Sequence, residues 1–445
     1  MPHLLITNAQ VLNVSEGSDP KVTVTPGQDV LIQGQRIEAV QPTGSADPSH
    51  FDQVIDAKNM LVMPGLINCH AHVPMVLWRG LAEDVSVTRW FNDYIWPLEN
   101  NLQPEDVYWG MLLGLIEQIE CGVTSVADHY FHMSYAAQAV EKIGSRALLG
   151  YAMFGSQGPS MIEETASFVE DYQGSANGRI RTIMAPHAPY TCDDDFLRAT
   201  AAVAQKLGVG IHIHVSESLP QTIASLRKRG ITPMQVLELT GILELPTIMA
   251  HVCGATPGDI RLMEKYPVGI AHACKTYLKL GETPAPLLDF MAAGLPIGLA
   301  TDGALSNNTM NLWETLRLMA QTQKQMSGIG EVMPNAQALA IATRGSARVY
   351  GQPDELGAVT PGYLADLILI DLSGTHYQPL NNIPASLVYN LIATDVRTVI
   401  IDGEVVMRDR QLLTIDKAEV FAQVRSRMDR LSFIDPSRRI QTYDN

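Results

Sequence analysis

Cysteine is scarce in this chain, and the few cysteines that occur are not paired in sequence. The 445 residues include five cysteines, an odd number, and none of them forms a Cys-x-x-Cys pattern. A disulfide framework normally has an even number of cysteines. The composition therefore argues against disulfides and predicts reduced thiols.

Basic residues are outnumbered by acidic ones. The sequence has 31 Lys and Arg against 47 Asp and Glu, which gives a formal net charge of −16 at pH 7. Such a protein repels phosphate backbones and anionic membranes, because contact would bring like charges together. We expect no nucleic-acid partner and no membrane partner, and a small neutral or cationic substrate is easier to accommodate.

Long apolar runs are also absent. No stretch of the sequence approaches the roughly 18 consecutive apolar residues of a membrane span. Residues 1–10 lack the basic segment followed by an apolar segment that marks an export signal. We therefore expect a cytoplasmic protein. Because 46% of its residues are apolar, the chain can still bury a large core.

Strand-like and helical patterns alternate through the middle of the chain. The predicted strands end near His72, Ala127, Tyr151, His187, His214, His251, His272 and Asp302. This alternation predicts an α/β fold with a parallel (β/α)8 TIM barrel, to which we assign residues 64–353. In barrels of this type the chemistry takes place at the C-terminal ends of the strands.

Both ends of the chain are rich in β-type segments. The predicted strands cover residues 4–14, 30–40, 53–63, 365–370 and 396–407, the last as a hairpin. Neither end has enough strands to form a core alone. We therefore expect one small β-sandwich domain built from residues 1–63 and 354–445, with the barrel inserted between them and a helix near residues 417–431.

Four clusters of histidines and acids fall at the predicted strand ends. They are His70-Ala71-His72, His214 with Glu217, His251, and Asp302. Three imidazoles and a carboxylate suit a zinc ion that keeps one position open for water, and the pKa of such a water falls to about 7. The clusters therefore predict a metal-dependent hydrolase.

Spacing alone leaves several roles open. His212 and His214 point to the same side of one strand, so either can be a ligand, and we favour the one nearer the strand end. Glu217 can carry protons or cap the following helix. His251 can complete the metal shell or hold the attacking water. Asp302 can be a ligand that also accepts a proton, or only a turn residue.

The other histidines of the predicted barrel are expected in different places. His187, which lies between two prolines, is well placed to contact substrate. His129 and His132 are predicted at the rim of the site. His272 can be a pocket residue or a core histidine with its hydrogen bonds satisfied.

These segments resemble the amidohydrolase superfamily. The motifs PGLINCHAH (64–72), HVSE (214–217) and TDGALSNN (301–308) are similar to its aminohydrolase branch. That branch includes triazine hydrolases, guanine deaminases and methylthioadenosine or S-adenosylhomocysteine deaminases. WRGLAED (78–84) and IWPLE (95–99) are most similar to the last group. The resemblance covers nearly the whole chain and implies the same split β domain.

The resemblance implies a metal site and a reaction. The implied ligands of one divalent metal, zinc or alternatively iron, are His70, His72, His214 and Asp302. The metal activates a water that attacks C6 of an adenine, and ammonia leaves.

The resemblance also implies roles for the residues around the metal. Glu217 moves the proton to the purine ring, and His251 steers the water. Glu99 holds ribose hydroxyls, and His187 contacts the substrate.

Two departures from the family pattern concern the substrate. The family motif His-x-Pro-x-Ser-Asn-x-Lys-Leu is HACKTYLKL here (272–280), with Tyr277 in place of asparagine. Residues 147–178 contain no Lys or Arg, whereas relatives that accept S-adenosylhomocysteine place arginines there. A carboxylate would then lack charge-assisted bonds worth about 1.5–3 kcal/mol each. We therefore expect a neutral nucleoside such as methylthioadenosine or adenosine.

Two other functions fit the same sequence. The chain could be a deaminase or dechlorinase of a triazine, pterin, guanine or other heterocycle. Glu217 favours deamination, because an amino group must receive a proton to leave as ammonia, whereas chloride can leave without one. It could also be a non-catalytic binding protein, but none of the implied ligands is missing. We also expect a homo-oligomer.

Overall fold

The computed structural model of the protein describes residues 3–443, which form two sheets and the helices around them. The first segment contains β1 (His3–Val14), β2 (Val22–Gln33), β3 (Arg36–Pro42), β4 (Gln53–Asp56) and β5 (Met60–Pro64). The middle segment contains β6 (Leu66–His72), β7 (Val123–Tyr130), β8 (Arg146–Met153), β9 (Ile180–Pro186), β10 (Ile211–Val215), β11 (Thr247–His251), β12 (Val268–His272), β13 (Ile297–Leu299) and β14 (Asp302–Gly303). The last segment contains β15 (Leu367–Asp371), β16 (Val396–Ile401), β17 (Glu404–Arg408) and β18 (Gln411–Leu412).

Helices follow most of the barrel strands. Within the described residues the α-helices are α1 (Val87–Arg89), α2 (Trp96–Glu99), α3 (Pro104–Glu120), α4 (Met133–Ile143), α5 (Pro159–Tyr172), α6 (Asp194–Leu207), α7 (Leu219–Arg229), α8 (Pro233–Leu239), α9 (Pro257–Met263), α10 (Cys274–Leu280), α11 (Leu287–Ala292), α12 (Ala304–Asn307), α13 (Leu312–Ser327), α14 (Asn335–Ala340), α15 (Ser346–Val349), α16 (Ile383–Tyr389), α17 (Lys417–Arg425) and α18 (Met428–Leu431). Asp193, Ser218 and Thr256 accept the free N–H groups at the starts of α6, α7 and α9. These caps start each helix within a few residues of a strand end.

The parallel sheet closes on itself. Its strand order is β13-β12-β11-β10-β9-β8-β7-β6-β14, and β13 and β14 are two pieces of one extended segment. Asp302 pairs with Ala71 of the first barrel strand, while Ile297 pairs with Ile270 on the other side. The side chain of Asn68 spans the break in the eighth strand, because it donates to Thr301 Oγ1 at 2.8 Å and accepts from Thr301 N at 3.0 Å. The predicted (β/α)8 barrel is confirmed.

The two ends of the chain share the second sheet. Its order is β18-β17-β16-β15-β5-β1-β2-β3, and β4 pairs with β1. The antiparallel pairing of β5 with β15 joins the first segment to the last. One face of this sheet packs a separate apolar cluster, which includes Ile6, Val30, Leu367 and Ile400. The predicted extra β domain built from both ends is confirmed, whereas its boundaries at residues 63 and 353 remain our proposal.

Two predicted strands are each divided by a turn. Residues 30–40 were expected to form one strand, but they contain a hairpin between β2 and β3 in which Gln33 pairs with Arg36. Gly34 lies in the turn with φ of 59°, a conformation that glycine adopts without steric cost. Similarly, residues 53–63 form β4 and β5 on either side of Asn59, whose φ is 66°.

The cysteines and the helices bear on two of the expectations from composition. All five cysteines are buried and unpaired, in agreement with the prediction of reduced thiols. Among residues 3–443, no helix is long and apolar enough to span a membrane.

Candidate active site

The predicted clusters converge at the C-terminal ends of four barrel strands. They are brought together by β6, β10, β11 and β14. Single ligand atoms of His70, His214 and His251 lie within 4.8 Å of one another, and so do those of His70, His72 and Asp302. His70 belongs to both groups, so the two groups describe one centre.

Short distances define the centre of the cluster. Nε2 of His72 lies 3.2 Å from Nε2 of His214. Oδ1 of Asp302 lies 3.3 Å from Nε2 of His72 and 3.4 Å from Nε2 of His70. Nε2 of His70 is buried without a hydrogen-bond partner, although such atoms are normally satisfied. A cation at this point would satisfy it, so the donor set fits a divalent metal.

The opposite ring nitrogens are held from outside the cluster. His70 Nδ1 bonds His212 Nε2 at 2.9 Å, His72 Nδ1 donates to the carbonyl of His129 at 2.6 Å, and His214 Nδ1 donates to the carbonyl of His187 at 2.9 Å. Such contacts fix the ring orientation and leave Nε2 with its lone pair for a metal. Oδ2 of Asp302 accepts a hydrogen bond from Ser306 Oγ at 2.7 Å.

Burial sets the charges in the cluster. It lowers the pKa of His70 and His214 and brings the pKa of His251 to about 3. Burial opposes the charge of Asp302, but the adjacent His70 and His72 still hold the pKa of that carboxyl well below its usual range. Burial opposes the charge of His72, but its hydrogen bond to Asp302 raises the pKa of His72 to about 9. Metal binding requires neutral imidazoles and an ionised carboxylate, so a bound metal would displace the proton of His72.

Glu217 faces the same pocket from the end of β10. Burial raises the pKa of its carboxyl to about 7, and Oε1 has no hydrogen-bond partner. The helix α7 is capped by Ser218 instead, whose side chain accepts from Gln221 N. The helix-capping alternative for Glu217 is therefore wrong, and its carboxylate is available for other work.

Glu99 and His187 line the pocket on its other sides. Glu99 ends α2, is 7% exposed, and burial raises its pKa to about 7. The imidazole of His187 stacks on Phe154 with ring centroids 4.6 Å apart, and its Nδ1 bonds Thr191 Oγ1 at 2.9 Å. Both side chains are thus held in fixed positions.

The pocket encloses about 840 Å³ of free space, including its open mouth. Its wall away from the histidines is largely aromatic, with Trp90, Phe91 and Trp96. Acidic side chains, including Glu99 and Glu282, line it as well. Among the described residues that line it there is no Lys or Arg. The pocket therefore suits an apolar ring system and offers no partner to a carboxylate.

Burial and hydrogen bonding bear on the predictions for three further histidines, His129, His132 and His272. His132 is partly exposed and does not line the pocket, so its place at the rim stays a prediction. The prediction for His129 is wrong, because it is 1% exposed and its ring lies 4.9 Å from that of His214. His272 is fully buried, but both of its ring nitrogens lack hydrogen-bond partners, so it is not a satisfied core histidine. Tyr277 lines the pocket, and its hydroxyl accepts from Ala273 N at 2.9 Å.

Tyr443 is a pocket residue that the sequence analysis missed. Tyr443 reaches the pocket from the end of the chain, and its hydroxyl accepts from Gln221 Nε2 at 3.2 Å. A lone tyrosine outside any periodic pattern gives no local signal. Only the path of the chain brings it to the site.

Comparison with known proteins identifies the family of this chain. Residues 61–406 match the model of the amidohydrolase family. The chain belongs to this family. As an amidohydrolase it is a metal-dependent hydrolase that acts on carbon–nitrogen bonds, and the resemblance inferred from its motifs is confirmed.

Individual relatives extend the comparison. The 5-methylthioadenosine/S-adenosylhomocysteine deaminase of Pelotomaculum thermopropionicum is 40% identical over 435 residues, covering 97% of this chain and 99% of the relative. An adenosine deaminase from Xanthomonas campestris with bound zinc superimposes with a TM-score of 0.88 at 28% identity, covering 96% of this chain and 98% of that one. The atrazine chlorohydrolase of Arthrobacter aurescens, complexed with zinc, superimposes with a TM-score of 0.86 at 23% identity. The match covers 96% of this chain and 100% of that one. The last comparison concerns the fold alone.

Proposed function

We propose that the protein is a zinc-dependent deaminase that releases ammonia from the adenine of a neutral nucleoside, such as 5′-methylthioadenosine or adenosine. The observation that carries this proposal is one pocket. It joins a metal-binding cluster, the carboxyl of Glu217, whose Oε1 has no hydrogen-bond partner, and the buried carboxyl of Glu99. Among the described residues that line it there is no Lys or Arg. The relatives named as methylthioadenosine or S-adenosylhomocysteine deaminases support the same class of substrate.

We assign the metal ligands to His70, His72, His214 and Asp302. Their inward atoms lie close together, and their outward nitrogens or oxygen are already engaged by other groups. A zinc ion bound there would activate a water molecule for attack on C6 of the adenine. His251 stands beside the cluster with a neutral ring, and we assign it the orientation of that water.

Glu217 moves the proton. Its pKa of about 7 lets the same carboxyl accept a proton and return it near neutral pH. Because its backbone N donates to Gln221 Oε1 at 3.0 Å, the residue is anchored at the start of α7 while its carboxylate faces the pocket. We propose that it protonates the purine ring and then assists the departure of ammonia. Asp302 would hold the metal and would also accept the proton that the attacking water loses.

Glu99 and His187 position the nucleoside. Glu99 can accept hydrogen bonds from ribose hydroxyls. With a pKa of about 7 its ionised form is populated near neutral pH, and in that form the bonds are charge-assisted. His187, stacked on Phe154, presents the edge of its ring to the bound substrate.

The charge of the pocket favours neutral nucleosides. S-adenosylhomocysteine carries an amino-acid carboxylate, and α5 together with the rest of residues 147–178 offers it no cation. The acidic side chains of the lining would repel that carboxylate. We therefore assign methylthioadenosine and adenosine as better substrates than S-adenosylhomocysteine.

Ammonia release by the zinc-loaded protein tests the proposal. The substrates are methylthioadenosine, adenosine, S-adenosylhomocysteine, guanine, a pterin and a triazine. We expect the two neutral nucleosides to exceed S-adenosylhomocysteine in kcat/KM by about tenfold or more, since one charge-assisted bond is worth about 1.5–3 kcal/mol. Activity on a triazine or pterin with none on any adenosine would contradict the proposal, and Tyr277 would then be the first residue to exchange for asparagine.

A further inference from the structure

Residues 432–443, which follow α18, contact the loops at the C-terminal ends of the barrel strands. After α18, residues 432–442 are exposed or partly exposed, whereas the following Tyr443 is 2% exposed. The start of this C-terminal segment is attached to the loops after β6, because Trp78 Nε1 donates to Leu431 O at 2.9 Å and Asn101 Nδ2 donates to Phe433 O at 2.5 Å. A single buried side chain at the end of an exposed segment indicates a specific contact.

Tyr443 is fixed by its backbone and by its ring. Asn92 accepts from Tyr443 N at 2.9 Å and donates to Tyr443 O at 2.8 Å. The phenol ring stacks on Phe91 with centroids 4.7 Å apart and an interplanar angle of 18°. Its edge meets Tyr190 at 5.4 Å, and its hydroxyl accepts from Gln221 Nε2. The residue thus connects the loops that follow the first, fourth and fifth barrel strands.

The position of Tyr443 in the pocket can be read from a series of rings. His214 lies 4.7 Å from His187, which lies 5.7 Å from Tyr190, and Tyr190 is the neighbour of Tyr443. Along this series two rings lie between Tyr443 and His214, an assigned metal ligand. A substrate whose reacting carbon is at the metal would meet Tyr443 with its remote part, which in a nucleoside is the sugar or its 5′ substituent.

We propose that Tyr443 is a specificity-determining residue that forms the pocket wall against the remote part of the substrate. The C-terminal segment holds this wall in place. The inference rests on the proposed nucleoside deaminase function. It adds that binding of an apolar 5′ substituent depends on an aromatic surface made by Phe91 and Tyr443.

Steady-state kinetics on the zinc-loaded full chain test this role. Tyr443→Ala removes the wall, Tyr443→Phe keeps the ring but not the hydroxyl, and Phe433→Ala is the matched control. Phe433 belongs to the same segment, its side chain is 63% exposed, and only its backbone bonds Asn101. For methylthioadenosine we expect Tyr443→Ala to raise KM about tenfold with kcat changed less than threefold, because remote binding contacts are lost. Tyr443→Phe should recover most of the affinity, and Phe433→Ala should match the wild type.

The split between KM and kcat separates the outcomes. A purely structural role would lower kcat with the fraction of active protein and leave KM unchanged, which would overturn the assignment of Tyr443. An equal rise in KM for Phe433→Ala would overturn it as well, since the effect would then belong to the segment and not to the ring. If Tyr443→Ala did not fold, a KM unchanged by Tyr443→Leu, which removes the aromatic surface but keeps an apolar side chain, would overturn it. If the wild type released no ammonia from any nucleoside, the proposed function would fail and this inference would fail with it.

Discussion

Glu217 is partly buried at the pocket, and burial raises the pKa of its carboxyl to about 7. Replacement by glutamine keeps the size and the backbone bond to Gln221 but removes the group that accepts and returns a proton. We expect Glu217→Gln to retain one metal per chain and to lose about 100- to 10,000-fold in kcat, the usual contribution of general acid–base catalysis. Ammonia release and metal analysis of the same sample provide the measurement.

A control for this variant is Glu163→Gln. Glu163 is an exposed carboxylate on α5 that does not line the pocket. Glu163→Gln should leave both the rate of ammonia release and the metal content at wild-type values. Near wild-type turnover in metal-loaded Glu217→Gln would show that the proton takes another route.

Glu99 tests how the substrate is held. Glu99→Ala should lower kcat/KM for methylthioadenosine about 10- to 100-fold, because a charge-assisted hydrogen bond is worth about 1.5–3 kcal/mol. Free adenine has no ribose hydroxyls, so its kcat/KM should change much less. The measurement is the ratio of kcat/KM for methylthioadenosine to kcat/KM for adenine, in the variant and in the wild type. An equal loss of kcat/KM for both substrates would place Glu99 outside the ribose site.

The histidines show how far single residues could be predicted. His212 and His214 lie on the same side of β10 because side chains alternate along a strand, so spacing could not separate them. Depth along the strand separates them, since Nε2 of His214 faces His72 whereas His212 bonds the outer nitrogen of His70. His129 was placed wrongly because a loop position was inferred for a residue that β7 still includes.

At the scale of elements, a buried ion cluster joins the barrel to the terminal sheet. Arg146, the first residue of β8, bonds Asp366 at 2.8 Å and Asp402 at 2.7 Å, and all three side chains are at most 9% exposed. Removing the cation would leave two buried carboxylates facing each other. We expect Arg146→Met to lower the free energy of unfolding by about 3–5 kcal/mol, as is usual when one partner of a buried pair is lost.

The matched control is Arg36→Met. Arg36 pairs with Glu355 at 2.7 Å, but these side chains are 48% and 39% exposed. Exposed pairs contribute about 0–1 kcal/mol. Urea denaturation of both variants gives the comparison. Equal losses of stability would mean that the buried cluster does not couple the two sheets.

The elements themselves were largely predictable from period and length. Alternating strand and helix patterns are repeated eight times, so the barrel and its strand ends follow from the sequence. The division of residues 30–40 was missed because Gly34 stands inside a continuous β-type pattern, and glycine is compatible with both a strand and a turn. Pairing of the two chain ends was predicted from the shortage of strands at each end.

At the scale of the whole molecule, contacts between distant parts of the chain carry no local pattern. Tyr443 and Phe91 are separated by most of the chain, yet they stack in one pocket wall. Sequence periodicity cannot report such a contact, and only the closed barrel with its returning C-terminal segment creates it. The expected homo-oligomer likewise remains a prediction, which sedimentation equilibrium of the full chain would test.

The metal content of the protein follows from the geometry of the one metal-binding cluster found among residues 3–443. Both candidate ligand groups share His70, so they describe one centre. A second metal in barrel hydrolases commonly needs a bridging carboxylated lysine, and no lysine lies among the described residues of the pocket or anywhere between Lys142 and Lys206. We expect one tightly bound divalent ion per chain, measured by elemental analysis after dialysis.

The metal contents of two histidine variants test the prediction of one ion per chain. His214→Ala should reduce the metal content well below one per chain, because outer contacts cannot replace an inner ligand. His132→Ala is the control, since His132 lies in the loop after β7 and is not part of the cluster. Two ions retained by the wild type would require ligands outside the five residues of this centre. His129 and the unpaired Oδ2 of Asp128 would then be the first to examine, because both are buried next to His72.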